Sequence, residues 1–505
     1  MTAQDAYRNL INHFKENTTL ASVNSVLEWD QDTYMPGAGV DHRSEQMSLI
    51  GRMVHERDTD PRINDWLSAC ESSELVKNPL SVEAVNVREW RRMYDLETKL
   101  PSELVEEIIR TTTKARQVWM EARKKSDFAM FAPWLEKNVE LNLRKADALG
   151  YDGERYDALL DGFEPHAKTA EVVKVFEGLR KDLVPLVAKL KDAPRRPDIG
   201  VIKRPYDVKK QAIFAEMVSQ RIGYDFNSGR LDITTHPFCA GLGPSDTRIC
   251  TRWYPDDLAE GLTGTTHETG HALYDMGLDR DHYGTPMGDS VSSGIHESQS
   301  RMWENQVGRS RGFWEYFFPI AKGVFHDEMS DVSLDDMYAA MNYVTPSYIR
   351  VEADEATYNL HIMLRFELEV ALVHGELKAK DVAGEWNKRF KDYLGIEVDR
   401  DSNGCLQDVH WSAGYMGYFP TYALGNLYAA QFYAAANKAM PGLQDDFARG
   451  DFSGLLEWLR KNIHRQGRRY RATELVKEVT GQPLSHRPLI DYLYAKYEPI
   501  YGITR

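Results

Sequence analysis

The chain is poor in cysteine: four in 505 residues, Cys70, Cys239, Cys250 and Cys405, and no two form a CxxC pair. That excludes a thiolate zinc knuckle and a dithiol redox motif. So few thiols in so long a chain point to a reducing compartment. An uncharged apolar run of transmembrane length is also missing, so no membrane partner is expected. The first residues offer no basic stretch followed by an apolar core, and no secretory signal is read there. Tyr7, Leu10, Ile11 and Phe14 instead keep the spacing of an amphipathic helix. The expected location is cytoplasmic. Positive charge is short as well. Lys and Arg number 62 against 77 Asp and Glu, a net charge of −15 spread along the chain. An acidic balance argues against a nucleic-acid partner, which needs a basic face. Repeats and low-complexity tracts are absent too.

What is present is ample apolar content, 42% of residues, patterned mostly at helical spacing. Helices are predicted over 83–98, 101–125, 127–149, 168–191, 346–373, 378–394 and 485–498. Two stretches alternate and are β-branched: Arg230–His236 and Thr247–Tyr254, with the turn-rich Gly241–Ser245 between them. The segment 192–200, with two prolines and a glycine, is the best linker. It is short, and all the chemistry lies after it, so it reads as a loop. The expected architecture is mostly α, one large helical domain over 1–505, with a small β-sheet just before one special helix.

That helix carries His267-Glu-Thr-Gly-His271, and Asp256-Asp257 can cap it. Residues four apart share a helix face, so both imidazoles can meet one cation. Glu268 lies one step round, within reach of a water on that cation. Gly264 and Gly270 each cost a helix about 1 kcal/mol against alanine, which makes sense where another backbone packs close. A catalytic zinc site wants a third protein ligand. Asp289, His296, Glu297 and Glu304 are the downstream choices, and Ser292-Ser293 can cap a second helix running from Gly294 to Val307. A carboxylate early on such a helix favours Glu297, with Glu304 seven residues on and on nearly the same face.

His267-Glu-Thr-Gly-His271 followed by His296-Glu-Ser-Gln-Ser-Arg301 resembles the carboxypeptidase Taq family of metallocarboxypeptidases. Other stretches agree in order: Trp29-Asp30, Thr33–Pro36, His236-Pro-Phe238, Asp246-Thr-Arg248, Ile349–Asp354, Gly404–Trp411 and Gly417–Gly425. The resemblance implies a helical zincin-type fold with a long central groove, a homodimer, peptide substrates, and removal of C-terminal residues. It selects Glu297 as the third ligand beside His267 and His271, and Glu268 as general base; the expected ion is zinc, with cobalt as a possible substitute. Within the family's stretches Arg350 would bind the terminal carboxylate, with Arg248 and His236 at the same end. His410 and Tyr422 would stabilise the oxyanion, and Tyr418 competes with Tyr422. The family's Asp-x-Arg-x-Thr reads Asp246–Cys250 here, with cysteine for threonine. The rival readings are an endopeptidase or dipeptidase on the same scaffold, or an inactive helical binding protein.

Overall fold

A computed structural model describes residues 1–505. The chain folds as twenty α-helices and one three-stranded sheet. Most of the predicted helices stand where periodicity put them: Val82–Thr98, Ser102–Lys125, Phe128–Leu149, Thr169–Lys191 and Arg487–Tyr501. The apolar faces of all but the first of these meet in one continuous core of 90 buried residues, reaching from Ala115 to Tyr501, whereas Val87 and Trp90 of Val82–Thr98 pack elsewhere. The segment 192–200 interrupts nothing, since Leu190 before it and Val201 after it belong to that same core. A second, nine-residue cluster lies under the N-terminal helices. There the ring of Phe14 stacks on Trp90 at 5.0 Å.

Two of the predicted elements differ. The helix expected over 346–373 begins only at Tyr358. Pro346 lies in the irregular stretch before it, and the Asp354 carboxylate accepts the backbone N–H of Ala356 (2.9 Å) and Thr357 (3.0 Å). That side chain holds the turn Asp354–Thr357 that leads into the helix by accepting its backbone N–H groups. Arg350 therefore sits on a short 3₁₀ turn, Arg350–Glu352. Likewise 378–394 divides into a 3₁₀ turn, Ala379–Asp381, and a helix, Val382–Leu394.

The sheet has three strands, not two: β1 Leu231–Ile233, β2 Phe238–Gly243 and β3 Asp246–Thr251. Their order is β1-β3-β2, with β3 parallel to β1 and antiparallel to β2. Gly241 and Gly243, expected in a turn, instead belong to β2 and flank a bulge in its pairing with β3. The reversal occurs at Pro244-Ser245, and Ser245 takes a positive φ of 75°. Gly241 has a packing reason. A Cβ there would lie 2.9 Å from the Asp275 carboxylate, on the helix that follows the sheet.

Candidate metal centre and carboxylate pocket

The helix Leu258–Gly277 starts where Asp257 accepts the backbone N–H groups of Ala259 and Glu260. It lies directly on β2 and β3. Hydroxyls of Thr265, Thr266 and Thr269 bond back to carbonyls one turn earlier, so these polar side chains are satisfied inside the core. A second helix, Ser293–Arg301, is capped by Ser292, whose hydroxyl accepts the Ile295 N–H at 3.1 Å. The two helices touch at Gly270, where a Cβ would stand 2.6 Å from the Ser300 Cα. Gly270 thus has the close-packing role expected of it. Gly264 does not, for its nearest neighbour would be 3.9 Å away.

This contact brings His267, His271 and Glu297 together, with their ligand atoms all within 4.8 Å of one another. Nε2 of His267 is 3.6 Å, and Nε2 of His271 3.4 Å, from one Glu297 oxygen. The outer ring nitrogens are already taken. Glu304 lies 2.9 Å from Nδ1 of His267. Nδ1 of His271 faces Nδ1 of His296 at 2.6 Å, and Nε2 of His296 reaches Asp275 at 2.9 Å. With Nδ1–H of His271 donating to His296, and Nε2–H of His296 donating to Asp275, His271 keeps its Nε2 lone pair for a cation. Two imidazoles and one carboxylate, each backed by a second polar partner, fit a divalent ion such as zinc.

Glu304 thus stands outside this three-residue cluster, on the outer nitrogen of His267. The reason is local: after Arg301 the chain widens into a π-helical turn, Met302–Val307, so residues seven apart no longer share one face. Arg301 joins the two carboxylates, donating to Glu297 at 2.7 Å and to Glu304 at 3.1 Å. Gly425 leaves room on the far side, since a Cβ there would be 2.6 Å from the Glu297 Cγ.

Electrostatics follow from this packing. Burial raises Glu297, but Arg301 and both histidines hold it well below the usual carboxylate range. Glu304 is opposed by burial yet drawn down to about 2, chiefly by Arg301 and His267. Burial and the neighbouring histidines bring His271 down to about 4, despite Glu297. For His267 burial works downward, and Glu297 and Glu304 more than offset it. Glu268 is buried on the same helix and bonds none of these groups; burial pushes it up to about 7, partly opposed by His267. A carboxylate poised there suits proton transfer near neutral pH.

A second cluster is built around Asp408. Arg350 brings Nε (3.0 Å) and Nη2 (2.9 Å) to one of its oxygens, and Arg365 brings Nε (2.7 Å) and Nη2 (2.6 Å) to the other. Two guanidiniums share one carboxylate, so the cluster carries one uncompensated positive charge. His410 lies beside it, brought down to about 4 by burial and the two arginines. Its Nε2 is 3.4 Å from the Tyr422 hydroxyl, and the Arg350 guanidinium covers the Tyr422 ring at 4.8 Å. Tyr418 stacks on His410 at 5.3 Å, so both tyrosines belong to this cluster. His236 is exposed and adds to the field at His410. Arg248 makes no hydrogen bond or ion pair with these groups. Its fork is held by Asp246 at 2.9 and 2.8 Å, and its guanidinium rests on the Trp29 ring at 4.1 Å. Cys250 is buried on β3, and all four cysteines are free thiols.

Sequence reasoning did not assign Arg301, Tyr358, Asp408 or Arg365. Asp408 and Arg301 stood inside quoted stretches. The partners of Asp408, Arg350 and Arg365, are distant in sequence, so no spacing rule reports them. Arg301 lies four residues after Glu297 and three before Glu304, the spacing of helix ion pairs, and could have been paired from that alone.

The family described as carboxypeptidase Taq (M32) metallopeptidase matches residues 9–497. A thermostable carboxypeptidase 1 of Thermus thermophilus is 47% identical, over 99% of this chain and 100% of that protein. A carboxypeptidase 1 of Bacillus subtilis is 36% identical, over 97% of this chain and 96% of its own length. Among solved structures, the M32 carboxypeptidase of Deinococcus radiodurans R1 superposes with a TM-score of 0.95 at 40% identity, covering 99% of this chain and 100% of that one. The carboxypeptidase of Pyrococcus furiosus gives 0.93 at 36% identity, over 97% and 99%.

Proposed function

The chain belongs to the carboxypeptidase Taq (M32) metallopeptidase family and is a metallocarboxypeptidase, and on that premise we propose that it holds zinc through His267, His271 and Glu297 and uses Glu268 as general base. The observation that carries this reading is the convergence of those three side chains, with Glu268, a buried carboxylate that bonds none of them, on the same helix as the two histidines. Cobalt would suit the same donors.

A divalent ion held there would acidify a water and polarise the scissile carbonyl. Glu268 takes the proton of the attacking water and passes it to the leaving amine. His410 and Tyr422 donate hydrogen bonds to the developing oxyanion, Tyr418 being the competing tyrosine. Arg350 binds the substrate's terminal carboxylate, which the positive charge of its cluster favours. His236 belongs at the rim of this end. Arg248, committed to Asp246 and Trp29, fits a wall-forming role better than a substrate contact. Peptides are the substrates. A single domain over 1–505, a homodimer and a cytoplasmic location complete the reading; no helix is long and apolar enough to cross a membrane.

Replacing Glu268 with Gln tests the mechanism. The variant is expected to keep its metal and lose turnover by about 10²–10⁴-fold. Loss of metal would make Glu268 a ligand, and wild-type turnover would remove it from the mechanism.

A further inference from the structure

We propose that Tyr358 is a positioning residue, a strut that fixes the distance between the carboxylate anchor Arg350 and the metal ligand Glu297. The inference rests on the reading of Arg350 as that anchor. Arg350 cannot swing. Its backbone N–H donates to Gln407 at 2.8 Å, and Nε and Nη2 are held by Asp408. Nη1 donates to the Tyr358 hydroxyl at 2.9 Å. These bonds use the inner edge of the guanidinium. A guanidinium has five N–H groups, so one on Nη1 and one on Nη2 remain for a substrate carboxylate.

The same tyrosine meets the metal centre with its face. The Arg301 guanidinium lies 4.3 Å from the Tyr358 ring centre, and Arg301 donates to Glu297 at 2.7 Å. One phenol ring therefore touches both cations, Arg350 through its hydroxyl and Arg301 through its π-face. It is only 4% exposed and opens the helix Tyr358–Val373, so its backbone is fixed as well. An exopeptidase needs a set distance between the group that binds the terminal carboxylate and the group that attacks the bond, because misplacement forfeits the gain from orientation. A rigid aromatic side chain with two torsions meets that need better than a flexible one.

The test compares zinc-loaded wild type, Tyr358→Phe, Tyr358→Leu and Arg350→Ala on one short peptide, as free acid and as C-terminal amide. The half-life of zinc against a chelator is measured alongside. Tyr358→Phe loses the bond to Arg350 and keeps the ring on Arg301. It should raise KM for the free acid about three- to tenfold and keep kcat within about twofold. Amide cleavage and zinc half-life should not move. Tyr358→Leu loses both contacts, so it should raise KM at least as far and also shorten the zinc half-life. If Tyr358→Phe keeps wild-type KM while Arg350→Ala has lost its preference for acid over amide, the strut is overturned and the anchor stands. If Arg350→Ala keeps that preference, the anchor falls and the strut with it. Should Tyr358→Leu fail to fold, the KM of Tyr358→Phe decides alone.

Discussion

Glu297 and Glu304 are the same residue type seven positions apart, and their surroundings give them different work. Glu297 faces both Nε2 atoms, whereas Glu304 grips the outer nitrogen of His267. Glu297→Ala should abolish tight metal binding by removing a ligand. Glu304→Ala keeps all three ligands but frees the His267 ring to turn, and should weaken metal affinity about ten- to hundredfold. Competition against a chelator of known affinity measures both, and wild-type affinity in Glu304→Ala would remove its supporting role. At this scale the sequence was informative wherever partners are close along the chain. His267 and His271 could be paired from helix geometry alone. Glu297 stood among four downstream choices until the family resemblance selected it, because its approach depends on how two helices pack. Glu304 was readable only as another ligand, since the π-helical turn that redirects it leaves no mark in apolar spacing.

The proposed metal centre is a contact between two helices, and its closeness is set by glycine. Gly270→Ala would drive a Cβ to within 2.6 Å of the Ser300 Cα, backbone that cannot easily give way. The helices must separate, at a cost of about 1–3 kcal/mol, and His271 and Glu297 move apart with them. The expected result is a lower melting temperature together with weaker metal binding. Gly264→Ala, on the same helix with open space beside it, should instead be neutral or stabilise by up to about 1 kcal/mol. Thermal melts of the two variants check both, and equal behaviour would contradict the packing argument. Long amphipathic helices were legible because their period repeats over many residues, as in Ser102–Lys125. Arg350's turn and strand β2 were not. A turn held by Asp354 overrides the helical pattern before Tyr358, and the glycines of β2 resemble a turn until the partner strand is seen.

Across the whole molecule, several carboxylates are buried outside the proposed ligand set. Glu164 is buried where Gly294 donates its backbone N–H, at the start of the helix bearing Glu297, and burial pushes it up to about 7. Glu369 is likewise raised to about 7 by burial, while accepting from Tyr156, Trp411 and Gly417. A folded pKa above the unfolded value of about 4.5 means the native state keeps its proton longer. The contribution of Glu164 to stability is therefore greatest below pH 4.5, falls as pH rises toward about 7, and is level above that. Glu164→Gln cannot ionise, so its melting temperature should gain on wild type across that window. A constant difference between the two melting curves would show that Glu164 does not titrate there.

These scales meet in one claim, that a single ion held by His267, His271 and Glu297 is required for peptide cleavage. The most direct measurement removes metal from the protein with a chelator, adds zinc back in steps, and records bound zinc and turnover on the same samples. The account predicts that turnover rises in proportion to zinc up to about one ion per chain. It also predicts that Glu297→Ala recovers neither tight zinc binding nor activity under the same treatment. Full turnover in protein shown by elemental analysis to be metal-free would contradict it.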